Sequence, residues 1–249
     1  LNYLGFSYGT ELGYTYAELF PEHVGRMVLD GAVDSTVSHV EFGQEGIEGY
    51  EKALRSYVQA CLDGQTGDCP LAGDVEEGVQ QIRDLIASAD ASPLKTSDPD
   101  VTINGSQLTQ SIQIYLRGGA WPQLTAVLTP AITQGDASGF AEVVKQASAE
   151  GSMAANTAVY CQDRPSQGGA DTWRAQYEKA QEVAPTFAAG GGFDMICAAW
   201  GHYSETDPIP QNVHATGAAP ILVVGTTGDP ATPYHWAQAL AEQLDSGQL

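Results

Sequence analysis

Basic residues are scarce in this chain: 10 lysines and arginines stand against 31 aspartates and glutamates, a formal net charge of −21. Such a field repels polyanions, which argues against nucleic acid or an anionic membrane surface as a partner. Long hydrophobic runs are missing as well, and no stretch approaches the roughly 20 apolar residues that cross a bilayer. Cysteine is limited to Cys61, Cys69, Cys161 and Cys197, whose spacing fits no paired C-x-x-C zinc pattern. Neither a metal site nor a cofactor is expected. What is present is 249 residues of 43% hydrophobic content, enough for one large domain or for a core with an insertion.

Against that background the first twenty residues carry the most information. Gly5-Phe6-Ser7-Tyr8-Gly9 reads as G-x-S-x-G, the turn that lifts a serine hydroxyl out of a strand-to-helix junction. Leu1-Asn2-Tyr3-Leu4 before it is a short extended run. Thr10 to Phe20 after it carries Leu12, Tyr16, Leu19 and Phe20 at the spacing of one apolar helix face. Pro21 ends that helix, because the residue before a proline is pushed away from helical angles. Gly5 and Gly9 remove side chains that would collide at so tight a bend. The new helix aims its free N–H groups at the serine, with the backbone N–H of Tyr8 as the expected first oxyanion donor.

Met27-Val28-Leu29, closed by Asp30-Gly31, reads as a buried parallel strand with its exit loop, completing one strand–helix–strand crossover. From Ser35 to about His214 the pattern is helical, with no convincing strand pair. Val75, Val79, Ile82 and Ile86 form one stripe, and Ile112, Tyr115 and Leu116 another. Further stripes are Leu124, Val127, Leu128 and Ile132, then Phe140, Val143 and Val144, then Trp173, Tyr177 and Ala180. Pro220 to Gly225 is again a β-branched strand, leading into Thr226-Thr227-Gly228-Asp229-Pro230 and a helix with Trp236, Leu240 and Leu244 on one face. The expected class is α/β. A parallel-sheet core of residues 1–34 and 215–249 is interrupted by a mainly helical cap over residues 35–214.

A serine nucleophile needs a base, and the base an orienting acid. In hydrolases built on G-x-S-x-G the chain order is serine, acid, histidine. Asp229, just past the C-terminal end of a strand, is the preferred acid, with Asp30 second. A helix, a loop, a strand and a further loop then place the histidine about 25 residues on, past Leu249. Of the five histidines, His235 alone follows Asp229, in the first turn of the next helix, and His202 and His214 are poorer bases still. The expectation is a fragment that holds serine and acid, while the final strand, the base and the second oxyanion donor lie outside it. Cys61 and Cys69 bracket a polar loop that a disulfide would close, and Cys161 with Cys197 would staple two cap segments; the alternative is four buried free thiols. Disulfides would imply an oxidising compartment.

Three segments together resemble a known group: Leu1 to Thr10, Leu29-Asp30-Gly31-Ala32-Val33-Asp34, and Gly228-Asp229-Pro230-Ala231-Thr232-Pro233-Tyr234. With Ala158-Val159-Tyr160-Cys161-Gln162-Asp163, and with Cys197 and Trp200, they are similar to the secreted tripeptidyl aminopeptidases of actinobacteria. These are α/β-hydrolase serine peptidases with carboxylesterase relatives. The resemblance implies Ser7 as nucleophile, Asp229 as triad acid, and disulfides Cys61–Cys69 and Cys161–Cys197. It also implies support of the site by the Thr232 hydroxyl, and a secreted or cell-envelope protein whose signal peptide is not in this chain. An aminopeptidase must hold a free ammonium, for which Asp163 is the candidate carboxylate and Glu41 and Glu45 are less specific ones. The expected substrate is a peptide, cleaved through an acyl-enzyme on Ser7, or in a second reading a small acyl ester. A third reading is a hydrolase-like fragment without turnover. The sequence does not set the oligomeric state.

Overall fold

In the computed structural model, β1 (Tyr3–Phe6) runs through Ser7 into α1 (Tyr8–Leu19) and is followed by β2 (Met27–Asp30), α2 (His39–Leu62) and α3 (Val75–Ala91). Next come β3 (Leu94–Lys95), β4 (Thr102–Ile103), α4 (Gly105–Arg117), α5 (Trp121–Gln134), α6 (Ala141–Ala147), α7 (Ser152–Asp163), α8 (Ala170–Val183) and α9 (Phe193–Trp200). The chain closes with β5 (Ile221–Val224), α10 (Tyr234–Gln243) and β6 (Gly247–Gln248). The structure describes residues 1–147, 152–164, 168–191, 193–200 and 210–249.

The chain divides into two compact units. One comprises Leu1–Gly49, Ala154–Val183 and Ala188–Leu249, and the other Tyr50–Met153 and Ala184–Phe187. The first unit holds a four-stranded sheet of order β1-β2-β5-β6, all pairs parallel. The expected strand–helix–strand crossover is thus present, and the chain leaves this sheet after β2 and re-enters it at β5. The final strand, expected outside the chain, in fact starts at Gly247, just after α10. The reason is that α10 has only 10 residues and Gly247 N–H bonds straight back to Leu244 O.

Met27 and Leu29 of β2 and Ile221 and Val223 of β5 point to one face, where they pack with Tyr14, Ala17, Ala237 and Leu240 of α1 and α10. The strands therefore alternate rather than being buried on both faces. Leu4, Val28 and Leu222 lie side by side in register on the other face, with Leu4 57% and Leu222 44% exposed.

The apolar stripe read for α1 is also corrected. Leu12, Leu19 and Phe20 are exposed, whereas Thr10, Glu11, Gly13, Tyr14 and Ala17 are buried. The helix lies so close to the sheet that a Cβ on Gly13 would stand 2.4 Å from Leu29 Cδ2. Small residues face inward for that reason, and bulky ones turn outward.

The second unit is helical, as the stripes predict: Val79, Ile82, Ile112, Leu116, Leu124, Leu128 and Phe140 are buried. Asp74 and Asn104 cap α3 and α4 with reciprocal capping boxes to Glu77 and Gln107. Two features escape the sequence reading. One is α2, whose apolar residues are diluted by charge. The other is the two-residue antiparallel pair β3–β4, too short to show period-two alternation. Cys61–Cys69 is bonded within this unit and closes the polar loop after α2.

Candidate active site

Ser7 adopts φ 52° and ψ −121° between β1 and α1, a conformation that residues with a side chain rarely take. Holding it costs about 1–3 kcal/mol, so its surroundings must over-determine it. They do. Ser7 N–H donates to Asp30 O at 3.0 Å, and Ser7 O accepts from Thr10 N at 2.8 Å. Thr10 Oγ1 also donates to Ser7 O at 2.7 Å and itself accepts from Val33 N at 3.1 Å. Tyr3 Oη donates to Gly9 O at 2.7 Å across the turn. A Cβ on Gly5 would stand 2.4 Å from Gly9 O, backbone that cannot move without unwinding α1. Gly5→Ala is therefore expected to destabilise the fold by about 2 kcal/mol, read from the urea midpoint. An unchanged midpoint would mean that the turn has slack. The Ser7 side chain faces solvent, and Tyr8, first residue of α1, has an N–H with no i−4 helical carbonyl to bond.

Asp229 stands on the turn that leaves β5. Its Oδ1 accepts from Ala231 N at 2.8 Å and Thr232 N at 3.1 Å, and its Oδ2 accepts from Thr232 Oγ1 at 3.0 Å. The Thr232 hydroxyl is thus spent on orienting the carboxylate. Gly31, at φ 61° on the exit of β2, lies between the two turns: a Cβ there would be 3.2 Å from Thr232 Oγ1 and 3.7 Å from Ser7 N. Ser7 and Asp229 leave strands separated by one intervening strand, about 10 Å apart at normal strand spacing. An imidazole bridges a gap of that order between hydroxyl and carboxylate. Asp30, the second acid candidate, contributes its backbone carbonyl to Ser7.

The first part of α2 braces the Asp229 turn. Gly49 approaches so closely that a Cβ would be 2.4 Å from Pro230 O. One turn earlier, Glu45 Oε2 accepts from Trp236 Nε1 at 2.6 Å and lies 2.7 Å from His235 Nε2. His235, with a side chain 60% exposed, is thereby held by Glu45. His214 lies against Gln243 O at 3.1 Å, and His202 falls outside the described residues. Among the described residues no histidine hydrogen-bonds to Asp229.

Asp163 is the last residue of α7, and Tyr8 Oη donates to its Oδ2 at 2.7 Å. Burial, then this hydrogen bond, raise the Tyr8 phenol above its ordinary value, so it stays a donor at any pH of interest. Arg164 Nη2 lies 2.6 Å from Glu11 Oε2, with side chains only 10% and 2% exposed. The guanidinium also sits over the rings of Phe42 at 4.8 Å and Tyr160 at 5.6 Å. Burial pushes the Glu11 carboxyl up, and the Arg164 charge opposes that shift. Two residues before Asp163, Cys161 is bonded to Cys197 and ties α7 to α9. Of the less specific candidates, Glu41 forms a capping box with Ser38 at the start of α2, and Glu45 is occupied as described. The sequence reading missed Thr10, Glu11 and Arg164. The one signal for Thr10 and Glu11 is a hydroxyl and a charge at positions of α1 that face inward, which cannot be recognised until the buried face of α1 is known; Arg164, just past α7, is marked only by being a cation in a chain poor in them.

Comparison with known proteins bears on this geometry. An α/β-hydrolase family model described as TAP-like protein matches residues 184–249. Serine protease Hip1 of Mycobacterium tuberculosis is 31% identical over 266 aligned residues, covering 100% of this chain and 50% of the relative. Tripeptidyl aminopeptidase of Streptomyces lividans is 30% identical over 100% of the chain and 47% of the relative. Residues 184–249 thus match the TAP-like α/β-hydrolase model, and along its whole length the chain is similar to these hydrolases. Carboxylesterase B of M. tuberculosis, 34% identical over 91% of the chain and 45% of the relative, is similar as well. All of these names are names of hydrolases, and the parallel sheet with its many helices fits the α/β-hydrolase fold. The chain spans about half the length of the curated relatives it matches. No described helix is long and apolar enough to cross a membrane.

Proposed function

We propose that this chain carries the serine and acid of a hydrolase that releases short peptides, tripeptides foremost, from free N-termini. Ser7 Oγ attacks the scissile carbonyl, the Tyr8 N–H stabilises the oxyanion, and the new amino terminus leaves with a proton delivered by a histidine. Water then hydrolyses the acyl-enzyme. Asp229, aimed by Thr232, orients that histidine. What carries the reading is the strained serine turn, set at the same edge of the sheet as a carboxylate that accepts three hydrogen bonds.

Asp163 supports the peptidase reading. It is one tyrosine side chain and one hydrogen bond away from the oxyanion residue, a reach comparable with the roughly 10 Å span of three extended residues. Its Oδ1 accepts no hydrogen bond among the described residues, which leaves it open to a substrate ammonium. A secreted or cell-envelope location is part of the proposal, and two formed disulfides support it. Among the described residues no base is brought to Ser7, so the 249 residues alone are proposed to lack turnover.

The test compares a tripeptide amide, its N-acetylated counterpart and a small acyl ester on the full gene product. Asp163→Asn is expected to raise KM for the free-amine substrate about tenfold or more while sparing the other two. Equal loss on all three removes Asp163 from amine recognition. An ester turned over faster than either peptide favours the carboxylesterase reading, which the similarity to carboxylesterase B supports.

A further inference from the structure

The cluster around Asp163 holds three charges, and their partnering is unequal. Tyr8 and Glu11 lie three apart on α1, hence on one face, and each holds one of two consecutive residues at the end of α7. Tyr8 takes Asp163, while Glu11 takes Arg164. Asp163 therefore has a neutral partner, although an arginine is its immediate neighbour in the chain. Arg164 is not saturated: its Nη1 is buried and makes no hydrogen bond among the described residues. Left without Glu11, a nine-tenths buried guanidinium would need another carboxylate, because an unpaired buried charge is costly, and Asp163 shares the surroundings of Tyr8 and Glu11 with it.

We propose that Glu11 is a specificity-determining positioning residue that draws Arg164 away from Asp163, so that Asp163 keeps an uncompensated negative charge for the ammonium of the substrate. The proposal rests on the reading of Asp163 as the amine-recognising carboxylate. Glu11 touches no substrate in this scheme. It acts through Arg164, with the guanidinium clamped between the Glu11 carboxylate and the rings of Phe42 and Tyr160. The counted charge of Glu11, Asp163 and Arg164 is one net negative. Neutralising Glu11 brings it to zero and frees a cation beside the substrate ammonium.

The experiment measures kcat and KM for the free-amine tripeptide amide and for its N-acetylated counterpart, on the full gene product. Asp163→Asn tests the underlying reading: if it leaves the preference for the free amine intact, that reading fails and this proposal with it. If Asp163→Asn abolishes the preference, Glu11→Gln is expected to lower it about tenfold, through KM for the free-amine substrate. Glu11→Gln combined with Arg164→Met removes the competing cation and is expected to restore most of the preference. A merely structural role for Glu11 gives the opposite pattern: both variants slow both substrates equally, or the double variant does no better than the single one. Either result overturns the proposal while leaving the Asp163 reading standing. Should Glu11→Gln be too unstable to assay, Glu11→Asp shortens the reach to Arg164. It is expected to lower the preference partway in the same direction, and an unchanged preference there also overturns the proposal.

Discussion

Ser7→Ala is expected to abolish labelling by a fluorophosphonate probe and to lower kcat of the full gene product by about 10⁶-fold, the scale seen when a triad nucleophile is removed. The residual rate comes from binding and from the oxyanion donor. Stability supplies an independent readout. Because Ser7 sits at φ 52°, a conformation that glycine adopts without cost, Ser7→Gly is expected to be inactive yet more stable by about 1 kcal/mol. Chemical denaturation reads that gain, and turnover assays read the loss. A serine that was only a bystander in this strained turn would show the gain in stability without the loss of turnover, and a Ser7→Ala protein that still turns over substrate would end the proposal. The same probe applied to the 249-residue chain alone reports whether these residues hold a working base. No labelling is expected there, and labelling at Ser7 would place the base among them.

Asp229→Asn is the second large effect, with kcat expected to fall by about 10⁴-fold while KM stays within a few fold. An asparagine side chain keeps the shape, and its oxygen still accepts from Ala231 and Thr232 N–H. It no longer carries the charge that stabilises an imidazolium, and it cannot fix the correct tautomer of a histidine. Thr232 Oγ1, which donates to Asp229 Oδ2, would face an amide group in place of an acceptor if the side chain kept its orientation. The comparison variant is Asp30→Asn. Asp30 also ends a strand, but its contribution to the serine turn is a backbone carbonyl that the substitution leaves in place. Turnover within a few fold of wild type is expected for it. The reverse pattern, with Asp30→Asn losing most of the activity, would move the acid to β2.

Much of this was legible because it is local. The G-x-S-x-G turn, the proline stop of α1, the β-branched run before Asp229 and the helix carrying Trp236 and Leu240 are each specified within about a dozen residues. The stripes of α3, α4 and α5 mark their buried faces correctly for the same reason. Where contact with a sheet decided the outcome, the local reading failed. Leu12 and Leu19 look like the inward face of α1, yet Gly13 and Ala17 occupy it, because a close helix–sheet approach selects small residues there. A generic loop length puts the C-terminal strand too late, because after α10 the chain turns at once.

By itself the sequence determined the chemistry on offer. It supplies a serine between two glycines at a strand-to-helix bend, an aspartate past a second strand, four cysteines in two sets, and a charge that turns away polyanions. Only the tertiary structure decided which residues meet. It placed Gly31 between Ser7 and Thr232, set Tyr8 on Asp163 across 155 positions of chain, and spent Arg164 on Glu11 rather than on its neighbour. The physical reason is that turns and helix stops are written in nearest-neighbour sterics, which a short window contains. The partnering of buried charges depends on which surfaces exclude water together, and that exists only once the sheet and its helices have packed.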